Sequence, residues 1–324
     1  MLITVEDLKK VYKTYQRGSS FGETLKSLFV RKPIYIEALK GISFQIDQGE
    51  LVGFLGPNGA GKSTTLKILT GILYPSAGKV EVMGYIPWRD RKKYVAKIGA
   101  VFGQKSQLLW DIPPIDAFYL NKAIYALPER EFKETMEYMV ELLGVGDLIR
   151  KPTRQLSLGE RMKCEFIMAM LHRPEIVFLD EPTIGLDVIA KDKIRQFILE
   201  MNRRGVTFIL TTHDLGDIEH LAQRVIVINH GEIVFDDALP ALRRQLGEKK
   251  IIAVTTIHPL PALDRPGVTI TNRLSPYQAE LELDLTAFPL NEFIALVNKS
   301  STIRDLSVQE PPIENVIKVL YEGR

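Results

Sequence analysis

The sequence predicts an α/β fold carrying an inserted helical subdomain, followed by a small α+β domain, and three observations carry that prediction. Short apolar runs of strand length alternate with helical periodicity between Leu51 and Thr211; one long stretch inside this region has helical periodicity alone; and after Pro240 the pattern changes to short strands and helices. The chain has 324 residues, 45% hydrophobic and 25% charged, which suffices for one large domain and one small one without disulfides or a structural metal.

The first strand signal is Leu2 to Val5, and a second, Ile42 to Ile46, ends at the turn residues Asp47 to Glu50. Between them, Arg17 to Pro33 reads RGSSFGETLKSLFVRKP, a short amphipathic pattern (Phe21, Leu25, Leu28, Phe29) surrounded by Lys26, Arg31 and Lys32. Two readings of it stand: a solvated hairpin insertion packing on its own domain, or a helix facing a membrane or a partner. Buried-type strands follow at Leu51 to Leu55, Ile98 to Phe102, Ile176 to Leu179 and Val206 to Thr211. Phe132, Met136, Met139, Val140 and Leu143 share one helical face, and Met162, Phe166 and Met170 share another, so residues 111–172 read as the helical subdomain. A hairpin comes next, Val225 to Ile228 and Ile233 to Phe235, turned by Asn229, His230 and Gly231. Residues 1–240 are expected to form the large domain and 241–324 a linker helix and accessory domain, α+β from Glu248 onward. The latter should hold strands at Ile251 to Thr256, Val268 to Thr271, Leu281 to Leu285 and Ile303 to Val308, and helices at Leu290 to Val297 and Ile313 to Tyr321. It shows no catalytic cluster, so a regulatory or dimer-stabilising role is expected of it.

Charge excludes one class of partner as a default: 42 basic against 40 acidic residues leave +2, and no general attraction to nucleic acid or anionic membrane follows. Cys164 is the single cysteine and lies in an apolar helical stretch, which predicts a buried thiol and fits a reducing cytoplasm. The N-terminus mixes charges of both signs among its apolar residues, so no signal peptide is expected. No stretch is long and apolar enough to span a bilayer, and a membrane role would have to run through a partner.

The chemistry is carried by motifs. Gly56 to Ser63 reads GPNGAGKS, matching G-x-x-x-x-G-K-[ST] directly after an apolar strand and at the start of a helix. In such a loop Gly56, Pro57, Asn58, Gly59, Ala60 and Gly61 let backbone N–H groups turn inward onto phosphate oxygens, and the following helix adds its positive end. Lys62 would reach the β- and γ-phosphates, Ser63 would give a hydroxyl to Mg²⁺, and Thr64 continues the nucleotide-binding run. Ile176 to Pro182 reads IVFLDEP, an apolar strand ending in two carboxylates. Beside a phosphate loop, Asp180 can hold the Mg²⁺ and Glu181 can polarise the attacking water. Alone, an apolar run before Asp-Glu is common; with the phosphate loop it is informative.

With a third motif the sequence resembles the ATP-binding-cassette (ABC) family. Leu156 to Glu160 reads LSLGE, shortly before the Asp-Glu strand and opening a helix. The resemblance implies a P-loop NTPase core with an inserted helical subdomain and an antiparallel β subdomain. It also implies that Leu156, Ser157, Leu158, Gly159 and Glu160 contact ATP held by a second subunit, so that the site is complete only across a dimer. Ser157 can cap the helix, Gly159 permits close approach and the helix N-terminus favours an anion. Further positions follow from the resemblance alone. Gln104 matches a glutamine that senses Mg²⁺ and contacts the membrane subunit, His213 a switch histidine at the γ-phosphate, and Asp187 in IGLD a loop that communicates across the dimer. Tyr12 matches the aromatic that stacks on adenine, with Tyr15 close enough to compete. The family's usual signature is LSGGQ; here Leu158 replaces a glycine, and Glu160 brings a negative charge near the partner's ATP phosphate.

The resemblance covers residues 1–240 with one set of motifs, as in half of a dimeric engine pairing with itself or a paralogue. No heptad run separates Lys62 from Asp180, which sets it apart from DNA-repair relatives with their long coiled coils, while translation relatives usually carry two cassettes in one chain. GPNGAGKSTTLKILTGILYPSAG, the IGLD loop and the small C-terminal domain look like the ABC-2-type exporter group, and LKSLFVRKP is similar to a segment of polysaccharide exporters. The resemblance therefore implies an ATP-hydrolysing subunit using ATP and Mg²⁺ at the cytoplasmic face of the membrane. It would drive a separate polytopic transmembrane permease, with no nucleic-acid partner. The rivals are a soluble regulator that dimerises on ATP around a macromolecule, and a P-loop kinase for a small molecule.

Overall fold

The computed structural model describes residues 1–15, 33–103, 105–212, 214–244, 248–261, 263–311 and 320. The chain divides into two compact units, Met1–Asp237 and Ala238–Arg324.

In the first unit, β1 (Ile3–Tyr15) pairs antiparallel with both β2 (Pro33–Ile46) and β4 (Ala77–Val82), giving a sheet of order β2-β1-β4. Ile3 and Val5 face Val80 and Val82, and all four are buried. A bulge follows: Asp7 takes a positive φ of 45° and the register shifts before Leu8, whose side chain is the last buried one on the strand. Beyond it only Leu39 of β2 is buried, and the strands are held by backbone pairing through Tyr15↔Pro33 with otherwise half-buried or exposed side chains. This is why β1 and β2 run longer than their apolar signals at Leu2 to Val5 and Ile42 to Ile46. Residues 17–32 of the predicted insertion lie outside the described residues.

The larger sheet has the order β5-β6-β7-β3-β8-β9, built from β3 (Leu51–Leu55), β5 (Ile98–Phe102), β6 (Ile176–Asp180), β7 (Thr207–Thr211), β8 (Arg224–Asn229) and β9 (Glu232–Ala238). The pairs β5–β6, β6–β7, β7–β3 and β3–β8 are parallel. Every residue of β3 and β7 is buried, as a strand covered on both faces requires. Phe44 and Phe54 meet edge to face with ring centres 5.2 Å apart, joining the two sheets in one core. Helix α1 (Lys62–Leu69) follows β3, and the short α2 (Arg91–Val95) precedes β5.

Helices α3 (Pro114–Ile124), α4 (Glu129–Leu143) and α5 (Leu158–Met170) occupy the predicted helical stretch. On α4 Phe132, Met136, Met139 and Leu143 are buried together with Thr135, while Val140 is half-buried, so the apolar face is turned slightly from the predicted one. Gly144 ends α4 in the left-handed conformation, φ 63°. Met162, Phe166 and Met170 are buried on α5, and Phe166 packs edge-on against Phe197 of α6 (Val188–Arg203), centroids 5.7 Å apart. Cys164 is fully buried, and burial pushes its thiol up to about 12. Helix α7 (Leu215–Leu221) completes the unit.

The second unit begins with α8 (Leu239–Arg244), where Pro240 sits in the first turn and breaks no helical hydrogen bond. Its sheet has order β11-β12-β10-β13, from β10 (Lys249–Thr256), β11 (Val268–Ser275), β12 (Gln278–Asp284) and β13 (Ile303–Gln309). Alternating Ile252, Val254, Ala279, Leu281 and Leu283 form a core with Phe293 and Val297 of α9 (Leu290–Ser300). The helix predicted at Ile313 to Tyr321 falls outside the described residues except Leu320.

Candidate nucleotide site and signature segment

The phosphate loop is shaped by close backbone contacts. A Cβ on Gly56 would lie 2.3 Å from the Ile228 carbonyl oxygen, and one on Gly61, at φ 117°, 2.8 Å from the Ala38 carbonyl oxygen. Only glycine lets the loop leave β3 and enter α1 at these two points. Lys62, the first residue of α1, is buried, and its ammonium donates to the carbonyls of Gly56 at 2.6 Å and Pro57 at 3.2 Å. Burial lowers its pKa, opposed by the charges of Glu181 and Asp180.

Ser63 Oγ donates to Asp180 Oδ1 at 3.0 Å, and Thr211 Oγ1 donates to the same oxygen at 2.5 Å, so β6 and β7 present the carboxylate to the phosphate loop. Glu181 follows in a left-handed conformation, φ 53°, with its N–H bonded to the Thr211 carbonyl at 2.9 Å. That turn takes the second carboxylate off the line of the strand. Gly103 N donates to the Asp180 carbonyl at 2.9 Å, and a Cβ on Gly103 would stand 2.1 Å from the Glu181 carbonyl oxygen. The end of β5 is thereby pressed against the acidic pair. A cavity of about 250 Å³ opens here, lined among others by Ser63, Lys67, Gly103, Lys105, Asp180 and Glu181. A smaller one of about 80 Å³ is lined by Glu181 with Thr183, Lys191, Thr212 and Asp214.

A hydroxyl and a carboxylate 3.0 Å apart are hard oxygen donors of the kind Mg²⁺ takes when phosphates and water complete its shell. Among the described residues no group of three or more His, Cys, Asp or Glu could hold a metal by itself. Tyr12 on β1 places its hydroxyl 3.4 Å from Thr64 Oγ1, beside the start of α1, and Lys10 Nζ lies 5.3 Å from its ring centre. Gln104 and His213 lie outside the described residues.

The LSLGE segment is organised by a capping box. Ser157 Oγ accepts from the Glu160 N–H at 3.3 Å, and Glu160 Oε2 accepts from the Ser157 N–H at 2.8 Å. The negative charge that looked misplaced for a phosphate contact is thus folded back onto the chain. The Ser157 backbone N–H, then its side chain, hold the Glu160 carboxyl below the usual range. Gly159 permits a close approach within the chain itself, since its Cβ would lie 2.8 Å from Ala190 Cβ on α6. Asp187 caps α6, accepting from the Ala190 N–H at 2.8 Å. Leu158 remains partly exposed beside Gly185.

Two groups near the site carry no motif in the sequence. Asp217 is fully buried and accepts from Arg195 Nε at 2.7 Å and Nη2 at 2.6 Å, and from the hydroxyl of Thr183, while Asp214 pairs with Lys191. Lys191 and Arg195 are one turn apart on α6, so the helix opened by Asp187 grips both sides of the turn into α7.

A strand, a phosphate loop and a helix, with an acidic pair ending the next-but-one strand of a parallel sheet, define a P-loop ATPase. Residues 39–184 match the ABC transporter family. The chain is 28% identical to the linearmycin resistance ATP-binding protein LnrL of Bacillus subtilis, over 91% of this chain and 95% of that one. To the ABC transporter ATP-binding protein NatA of the same organism it is 31% identical, over 66% and 87%. Among solved structures it is similar to the dimeric structure of MJ0796, a bacterial ABC transporter cassette, with 25% identity, a TM-score of 0.61 and coverage of 73% of this chain and 98% of that one. The chain belongs to the ABC transporter family as an ATP-binding subunit and is an ATPase.

Proposed function

We propose that this chain is the motor of an exporter: two cassettes close on two ATP molecules, hydrolyse them and drive a separate transmembrane permease at the cytoplasmic face of the membrane. The observation that carries the reading is the convergence of Ser63 and Asp180, 3.0 Å apart, beneath a buried Lys62 and next to Glu181. No described helix is long and apolar enough to cross a membrane, in keeping with a permease on another polypeptide. Export is supported by the relative named for linearmycin resistance, matched over 95% of its length.

Each residue has a task. Backbone N–H groups of the loop Gly56 to Gly61, Pro57 having none to give, receive the phosphates, and Lys62 exchanges its two carbonyl partners for the β- and γ-phosphate oxygens. Ser63, Asp180 and Gln104 are the residues that would hold Mg²⁺. When bound, that ion neutralises phosphate charge. Glu181 polarises the attacking water, and His213 contacts the γ-phosphate. Tyr12, hydrogen-bonded at the edge of the phosphate loop, stacks on the adenine. In the dimer, Ser157 and Gly159 at the N-terminus of α5 meet the partner's ATP, and Asp187 faces the partner's site. Glu160 serves that contact indirectly, by fixing the capping box.

A tagged chain purified from detergent-solubilised membranes of its host should bring down a multi-span protein, and the recovered complex should hydrolyse ATP. Recovery of an ATPase-active soluble dimer alone, in every detergent tried, would instead favour a regulator working around a macromolecule.

A further inference from the structure

Helix α5 carries one buried carboxylate that the mechanism above does not use. Glu165 is 3% exposed, and three donors of the loop leaving β5 converge on it. Gln107 N–H reaches both carboxylate oxygens, at 2.9 and 3.1 Å, Leu108 N–H lies 3.4 Å from Oε1, and the Ser106 hydroxyl donates to the same oxygen. Gln107 is tied on its other side as well, its side-chain amide donating to the Ala100 carbonyl of β5 at 2.6 Å. Burial raises the pKa of this carboxyl; the hydrogen bonds from Ser106, Gln107 and Leu108 and the charge of Arg161 oppose that rise. A carboxylate only accepts, so it can take all three donors, whereas an amide in its place would set an N–H against them.

The two ends of this clamp lie at two functional places. Upstream, Gly103 packs on the backbone of Glu181, and Lys105 lines the cavity with Asp180 and Glu181. Downstream, α5 begins at the Ser157–Glu160 capping box two turns before Glu165. We propose that Glu165 is a positioning residue that fastens the loop Lys105–Leu108 to the signature helix, so that the loop end lining the Asp180–Glu181 cavity stays coupled to the LSLGE segment when the site closes on ATP. The inference rests on the ATPase reading above.

The test uses the full chain with Glu165→Gln, Ser106→Ala and the double variant. In Glu165→Gln, the KM for ATP should stay within about twofold of wild type while kcat falls about tenfold, since nucleotide contacts are kept and only closure is impaired. Ser106→Ala should lower kcat about threefold in the wild-type background and leave it unchanged in Glu165→Gln, because its partner is already altered. Hydrogen exchange at the Gln107 and Leu108 amides should quicken about tenfold in Glu165→Gln. Wild-type kcat in Glu165→Gln, the same loss from Ser106→Ala in both backgrounds, or unchanged exchange would each overturn the proposal. If Glu165→Gln does not fold, Ser106→Ala alone decides, and wild-type kcat there overturns it. A wild-type chain without ATPase activity would defeat the ATPase reading instead, and the exchange comparison would still report whether Glu165 holds the loop.

Discussion

Replacing Asp217 by alanine should be among the most destabilising single changes in the first unit. Asp217 is 0% exposed and Arg195 17%, joined through two N–H groups at 2.7 and 2.6 Å. Thr183, itself buried, donates to the second carboxylate oxygen, and the buried Thr212 hydroxyl lies 3.5 Å from it. Asp217→Ala leaves a largely buried guanidinium without its counter-charge, a change that costs about 3–5 kcal/mol. With an m-value near 3 kcal/mol/M, the urea midpoint should fall by about 1.3 M. The measurement is made without nucleotide, because ATP binding would add its own stabilisation by mass action. The double variant Asp217→Ala/Arg195→Met should recover more than half of the loss, since removing both charges leaves no uncompensated charge and only the Thr183 and Thr212 hydroxyls lose an acceptor. A midpoint within about 0.3 M of wild type, or a double variant no better than the single one, would refute the assignment of a charge-paired anchor behind the site.

Two further outcomes follow from the site. The Glu160 carboxyl is held low by the Ser157 N–H, so its charge stabilises the fold above the ordinary glutamate pKa, about 4.3, and that contribution disappears as pH falls through the depressed folded value. Glu160→Gln should therefore be less stable than wild type at pH 7, with the difference in urea midpoint closing below about pH 4. Cys164, fully buried and raised to about 12, should resist a thiol reagent at pH 8 in the native chain and react at once in 6 M guanidinium, as followed by absorbance or mass.

Local pattern made much of this molecule legible. The strands Leu51–Leu55 and Ile98–Phe102 lie where continuous apolar runs put them; the first is buried throughout, as a strand covered on both faces requires, and the second buries Ile98, Gly99 and Val101. Strand Ala77–Val82 and helix Arg91–Val95 gave no such signal: the first buries only Val80 and Val82, and the second only Tyr94. The distal halves of β1 and β2 are set by backbone pairing, and side-chain pattern is silent there. At the site, the spacing of GPNGAGKS and IVFLDEP located Lys62, Ser63, Asp180 and Glu181, but the left-handed backbone of Glu181 runs against the extended preference of a residue before proline and could not be read from residue types. Glu165 and the Asp217–Arg195 pair were hidden because their partners lie far along the chain, and a lone acidic residue in a helix ordinarily faces solvent. Glu160 was legible as an irregularity, and a glutamate three residues after a serine is also the signature of a capping box.

The central claim, an ATP-closed dimer opened by hydrolysis, is tested most directly by sedimentation of the Glu181→Gln chain with and without Mg-ATP, alongside its turnover. The account predicts a stable dimer only with ATP, unchanged nucleotide binding and hydrolysis slowed about 10²-fold or more. A chain that stays monomeric with ATP bound, or that hydrolyses ATP at the wild-type rate, would contradict it.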